Sequence, residues 1–524
     1  MKRILPFLIS LSMTSNFAQA ADAKSVEKKT PAKMKATPRK PIKCAIGLMY
    51  EKAASDDAAP APEKVLKKEP VKIIAPTTPS IAPVKDPNLA VGQGFLHTGL
   101  RQLQEVAAQQ EGKSFVYSPL SLFSAMALLT AGAKAETEKA LIQYLLATES
   151  DPATLTKGLK AFYQRYKAAA DAAAQSGQKI IPFEFVGAQA VVSNKDIFSL
   201  DEGYARRIKE DYDSEIFHKT FDPSILGFIN GWVSEKTKNL IPKLLEQPLK
   251  PDVVLVILNA IYAKGSFAKS FELMEEGRFK AADGTSTPVT YLNRVGSMPF
   301  AKTKNWTATQ ISMKAGAPVT IDLLLPNEAS TDPLTLTPAE YAEIVEEFEK
   351  DDASSVRVNL TLPANKIESK IDFTRVLMAP GHQVPIFDGD QPNLSGLGRT
   401  KGSNDPLAVS QVIQKAVLEV NPFGFEGAAA TAILVMRSTA FRPTPSTEPI
   451  PFTMNRPGLM IVRDVETKLP LFVQYVNGGQ HYSKEELAAQ FNKADEMRVR
   501  ITFKDEKGAF YASEEALKSY VPAN

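Results

Sequence analysis

Four histidines (His97, His218, His382 and His481) and one cysteine (Cys44) are all that the chain offers for imidazole or thiol chemistry. Neighbouring histidines are separated by about a hundred residues, so no local HExxH-type metal pair can form. A single cysteine excludes a disulfide framework, a cysteine zinc site and an internal redox pair. There is no Gly-x-Ser-x-Gly elbow to present a nucleophilic serine. Gly92-Gln93-Gly94 resembles a fragment of a dinucleotide-binding loop, but no strand pattern precedes it, so simple loop punctuation is expected. Asp388-Gly389-Asp390 lacks the spaced ligands of a calcium loop and is expected to be a turn. No metal and no cofactor are expected, and an enzyme, such as a hydrolase assembled from scattered groups, is disfavoured.

The chemistry is instead concentrated in one uncharged run, Gly427–Met436. Read as a strand, Phe425, Gly427, Ala429, Thr431, Ile433 and Val435 share one face, and Glu426, Ala428, Ala430, Ala432, Leu434 and Met436 share the other. Beyond Glu426 both faces are apolar or small, the pattern of a strand buried inside a sheet. Yet Arg437-Ser438 follows, and Pro443, Pro445, Pro449 and Pro451 then mark an exposed, extended loop. A strand exposed in one state and inserted in another would reconcile the two patterns. An Ala-rich buried helix is the competing reading.

The elements that would position this run lie within 524 residues of average globular composition, 44% hydrophobic and 23% charged, with a net charge of +3. That balance argues against nucleic acid as a partner. Met1-Lys2-Arg3, an apolar run of about ten residues and Ala18-Gln19-Ala20 form a secretory signal pattern over residues 1–20. The run is half of what a membrane span needs, about twenty residues, so an exported, secreted or periplasmic protein without a membrane span is expected. Residues 21–87 are rich in Lys, Pro and Ala and read as a disordered tether, or alternatively as a basic arm for an anionic polymer. Residues 88–478 carry the core, and residues 479–524 a charged extension with a helix near Glu485–Met497.

Within the core, Leu120–Ala131 is expected as a buried helix ending at Gly132. An amphipathic helix is expected over Ile225–Leu245. Val253–Ala263, apolar on both faces, predicts a central strand. Val356, Val358, Leu360 and Leu362 alternate with Arg357, Asn359 and Thr361 at period two. Leu459–Val462 and Leu471–Val476 predict a hairpin. Helices first and strands later give an α+β fold.

From about Pro87 to Asn477 the chain resembles the serpin family. The resemblance is carried by Phe115-Val-Tyr-Ser-Pro-Leu-Ser121, by Leu258-Asn-Ala-Ile-Tyr-Ala-Lys-Gly265, by Leu394-Ser-Gly396, by Lys415–Asn421 leading into Gly424–Ala432, and by Asn455-Arg456-Pro457. It implies about nine helices around three β-sheets, an exposed reactive loop, and a monomeric suicide inhibitor of serine proteases. Gly424, Phe425, Glu426, Gly427, Ala428, Ala429, Ala430, Thr431 and Ala432 would form the loop's hinge. Ser118, Ser121, Asn259, Gly265 and Gln414 would form the cluster beneath the opening sheet.

Departures from the family pattern temper this. Phe425 stands where a small or hydroxyl residue is usual, and overpacking there would cost about 1–3 kcal/mol. Pro422 replaces an acidic residue and would remove a ladder donor. Phe267 stands for a tryptophan and Gln414 for a histidine. The scissile bond is expected at Arg437–Ser438, which favours a trypsin-like protease, with Ser438–Thr439 second and Met436–Arg437 third. A non-inhibitory serpin that binds a ligand or client protein is the alternative.

Overall fold

Two segments that are apolar on every side form the centre of the molecule, as their composition requires. In the helix Pro119–Gly132, 12 of 14 residues are buried. Ser118 caps it, its hydroxyl accepting the Ser121 amide at 3.1 Å, and Pro119 occupies the first turn, where an amide would have no partner. The strand Val253–Ser266 lies at the middle of the largest sheet. Ile257, Ile261 and Ala263 join the main core. Val256, Leu258 and Ala260 instead meet Ile225, Ile229, Trp232 and Val233 of the helix Ser224–Lys236.

The computed structural model describes Ala45–Gly47 and residues 81–522, apart from Lys179, Ser330, 351–355 and 427–447. All of them belong to the unit Ile42–Asn524. The fold is α+β, with ten α-helices among the described residues. There are one eight-stranded and two six-stranded sheets, and a two-stranded ribbon besides. None of these helices is long and apolar enough to cross a membrane.

The eight-stranded sheet positions the site. On one side of the central strand Val253–Ser266 runs Phe183–Asn194, antiparallel to it over almost its whole length, with Glu215–Lys219 outside. Beyond the other side lie Ile413–Asn421 and, paired with it, Asn365–Asp372.

Two local expectations are corrected. Gly92 and Gly94 lie inside the helix Pro87–Arg101, not in a loop. A Cβ on Gly92 would fall 2.3 Å from the Thr467 carbonyl oxygen, and one on Gly94 would fall 2.5 Å from the Leu146 Cα, so the glycines permit close packing. The helix expected over Ile225–Leu245 stops at Lys236, because Lys238 and Asn239 adopt positive φ and break the spiral. Ile241, Leu244 and Leu245 still pack on the same cluster without helical backbone. The C-terminal extension is folded onto the body. Its helix, Lys484–Glu496, opens with a Ser483/Glu486 capping box, and Thr502–Lys504 pairs parallel with Leu273–Glu275.

Candidate functional site: a partly filled slot

The strands Val253–Ser266 and Ile413–Asn421 do not pair with each other. At the top, Gly424–Glu426 lies between them and pairs antiparallel with both. Phe425 stands opposite Gly265 on one side and Val420 on the other. At the bottom, Ala45–Gly47 lies between the central strand and the short strand Ala408–Gln411. Between these two fillers no strand of the described residues intervenes, and a void of about 50 Å³ remains.

Ser118, Ser121, Asn259 and Gln414 line that void. Gln414 is pinned twice to one residue: its Oε1 accepts the Ser118 amide and its Nε2 donates to the Ser118 carbonyl, both at 2.8 Å. The amide thus supplies the donor and acceptor that the histidine pattern would have supplied. Asn259 Nδ2 donates to the Tyr163 hydroxyl at 3.5 Å, and Tyr163 shares a 2.8 Å hydrogen bond with Ser124. Burial pushes the Tyr163 phenol up to about 12, so it stays neutral. Asn259 Oδ1 and Gln189 Oε1, neighbours across the ladder, are buried without a hydrogen-bond partner among the described residues. Leaving such an acceptor unmet costs about 1–3 kcal/mol, so a donor arriving in the slot would be rewarded. Tyr163, Ser124 and Gln189 carry no sequence signal, because helix and strand meet here only in three dimensions.

Gly265, the fifth residue expected in this cluster, lies apart from it at the top of the slot. There it seats Phe425. A Cβ on Gly265 would come within 2.4 Å of the Phe425 ring, so the missing side chain makes the pit that the ring fills. Phe425 is fully buried. The expected overpacking is therefore relieved at this rung. Pro422 removes no ladder donor either, because it sits in the turn, where its carbonyl accepts the Phe271 amide at 2.9 Å. Phe267 packs edge-to-face on Phe271, with ring centroids 5.6 Å apart.

Glu426 occupies the opposite face, 3.5 Å from the Lys264 ammonium and beside Tyr262. Lys493, from the C-terminal helix, closes over this corner and lies 5.4 Å from the Phe423 ring centroid. Burial, and then the neighbouring Lys264, lower the Lys493 pKa, while burial raises that of Glu426. The neutral carboxyl is thus the form that the seated segment favours. This contribution to seating is complete below the ordinary carboxylate range and is lost as pH rises through the raised value. After correction for intrinsic rates, hydrogen exchange at Phe425 and Glu426 is expected to be slower at pH 4 than at pH 7. Glu426→Gln should flatten that dependence, and an equally steep profile in the variant would assign it to another group.

Gly427–Ala432, Arg437, Ser438 and Thr439 lie outside the described residues, as do residues 1–20. On the far side of these residues, the strand Ile450–Thr453 pairs parallel with Val358–Thr361.

A family model described as serpin (serine protease inhibitor) matches residues 95–477. Serpin B3 of Homo sapiens is 29% identical over 390 residues, covering 70% of this chain and 94% of the relative. The thermophilic serpin tengpin, solved in its native state, aligns with a TM-score of 0.61 and 22% identity, over 76% of this chain and 96% of that one. Human thyroxine-binding globulin aligns with a TM-score of 0.58 and 18% identity, over 76% of this chain and all of that one.

Proposed function

Because the chain belongs to the serpin family, we propose that it is a suicide inhibitor of serine proteases whose reactive loop inserts into the slot. Loop insertion in serpins is an established instance of strand addition with release of stored strain. The observation that carries the reading here is a hinge already three residues deep above a gap that no strand of the described residues fills.

Continuing the pairing of Glu426 with Lys264 and Glu419 down the slot sets Ala429 level with Ile261 and Ala416. Thr431 then comes level with Asn259 and Gln414. The one hydroxyl in the run Gly427–Met436 would thus reach the rung where Asn259 Oδ1 lacks a donor among the described residues. About a dozen new backbone hydrogen bonds, at about 1 kcal/mol each, together with apolar burial, would yield on the order of 10 kcal/mol.

In the proposed reaction the protease serine attacks the Arg437 carbonyl. An ester forms, the Arg437–Ser438 peptide bond breaks, and the Ser438 amine takes up the proton and leaves. The freed loop then enters the slot and carries the acylated enzyme with it before water can hydrolyse the ester. An arginine at this position suits a trypsin-like pocket with a buried carboxylate. The export signal read in residues 1–20 supports a target outside the cytoplasm.

The firm seat of Phe425 favours a second reading, a non-inhibitory serpin whose hinge is anchored rather than poised. One experiment separates the two. The mature protein is mixed with trypsin-like and elastase-like proteases and run on a denaturing gel. A covalent complex with the trypsin-like enzyme is expected. Cleavage without any complex would favour the second reading.

A further inference from the structure

We propose that the strand Ala45–Gly47 is an internal plug, which holds the lowest rungs of the slot and which the reactive loop must displace to complete its insertion. The inference rests on the insertion reading above and adds a contact made by the segment ahead of the serpin-like core.

The positions conflict rung by rung. Ala45 pairs with Val253 and Ile46 with Leu255 on the central strand. Continuing the loop's register along that unbroken strand brings Val435 to Leu255 and Arg437 to Val253. The other wall agrees. Ala45, Ile46 and Gly47 pair with Ala408, Val409 and Gln411. The loop's register along Ile413–Asn421, carried through Val412, brings Leu434 to Gln411, Met436 to Val409 and Arg437 to Ala408. The plug therefore holds the places of residues 434–437, ending at the residue that would carry the acyl bond. The directions also differ, since the plug runs parallel to its neighbours and the hinge antiparallel. The two cannot merge into one strand, so one must leave.

The contest is graded by covalent geometry. A three-residue parallel strand is a weak filler, because parallel pairing is slightly less stable per residue and short strands are marginal. An uncut loop is tethered at both Glu426 and Ile450 and can reach the lowest rungs only by pulling on the strand Ile450–Thr453. A cut loop has no such restraint and makes a longer antiparallel strand. The plug thus holds the sheet closed against the uncut loop and yields to the cut one.

The test uses the full chain, with a polarity-sensitive dye on its single cysteine, Cys44, adjacent to the plug. The loop is nicked between residues 427 and 447 by a protease that the protein does not trap. Thermal melting, dye emission and hydrogen exchange at residues 45–47 are then followed together. A rise in melting temperature is expected, with dye emission changing and exchange at 45–47 becoming that of a free peptide. A rise in melting temperature with unchanged emission and exchange would overturn the plug while leaving insertion intact. No rise at all would overturn insertion and the plug with it.

In a second arm, Ile46→Pro, which removes a ladder donor, and a truncation lacking residues 1–50 should each insert the nicked loop roughly tenfold faster than the full chain. A synthetic peptide of residues 42–50 in excess should restore the slower rate. Equal rates in all forms would contradict the proposal.

Discussion

Replacing Ala429 with proline is expected to turn the protein from a trap into a substrate. The projected register puts Ala429 three rungs below Glu426, between Ile261 and Ala416, where an inserting strand is enclosed on both edges. Proline there removes one ladder donor and fixes φ near −65°, and the acceptor it strands inside the sheet costs about 1–3 kcal/mol. That cost falls early in insertion, while the ester between protease and loop remains open to water. Attack on the scissile bond itself should be unaffected, because residues 437–438 lie further along the chain. The stoichiometry of inhibition should therefore rise at least roughly tenfold, since 1.4 kcal/mol alone is a factor of ten in partitioning. Ala429→Ser, small and still a donor, should keep most of the trapping. If the proline variant traps as well as the wild type, the hinge has been misplaced.

Asp464→Ala is expected to produce the largest loss of stability of any single change considered. This fully buried carboxylate accepts two hydrogen bonds from Arg165, each at 2.8 Å. It also accepts the Tyr166 hydroxyl at 3.0 Å, and the Thr467 amide and hydroxyl at 2.7 Å. One side chain thus ties the helix Pro152–Gln175 to the hairpin Gly458–Val476, at the turn on which Gly92 packs. Removing it strands several buried donors, and the loss of one partner from such a network costs about 3–5 kcal/mol. For a domain of this size the melting temperature should fall by roughly 3–6 °C. Asp464→Asn, which can still accept from one side, should lose less. A drop of only a degree or two in the alanine variant would mean that water replaces the carboxylate at little cost.

The parts of the fold that could be read from sequence are those whose partners are close or whose pattern is extreme. The almost wholly apolar run at Leu120–Ala131 and the two-faced strand at Val253–Ala263 call for burial, and nearly all of their residues are buried. The hairpin was legible because two short, largely apolar runs flank the turn Asp464–Pro470. The errors arise where distant residues decide. Gly92 and Gly94 looked like loop punctuation because nothing local announces that Thr467 and Leu146 press against their helix. Phe425 looked oversized because the pit that accepts it is made by Gly265 on another strand. Lys493 reaches the same corner from the far end of the chain. The capping box predicts its helix but not the surface on which that helix lands.

Thermal unfolding of the loop-nicked protein beside the intact protein measures whether the slot stores the energy of an added strand. If an unfilled slot stores the energy of a strand not yet added, cutting within residues 427–447 should raise the melting temperature by more than about 10 °C, in line with a gain on the order of 10 kcal/mol. A nicked protein that melts at or below the temperature of the intact one would contradict the account.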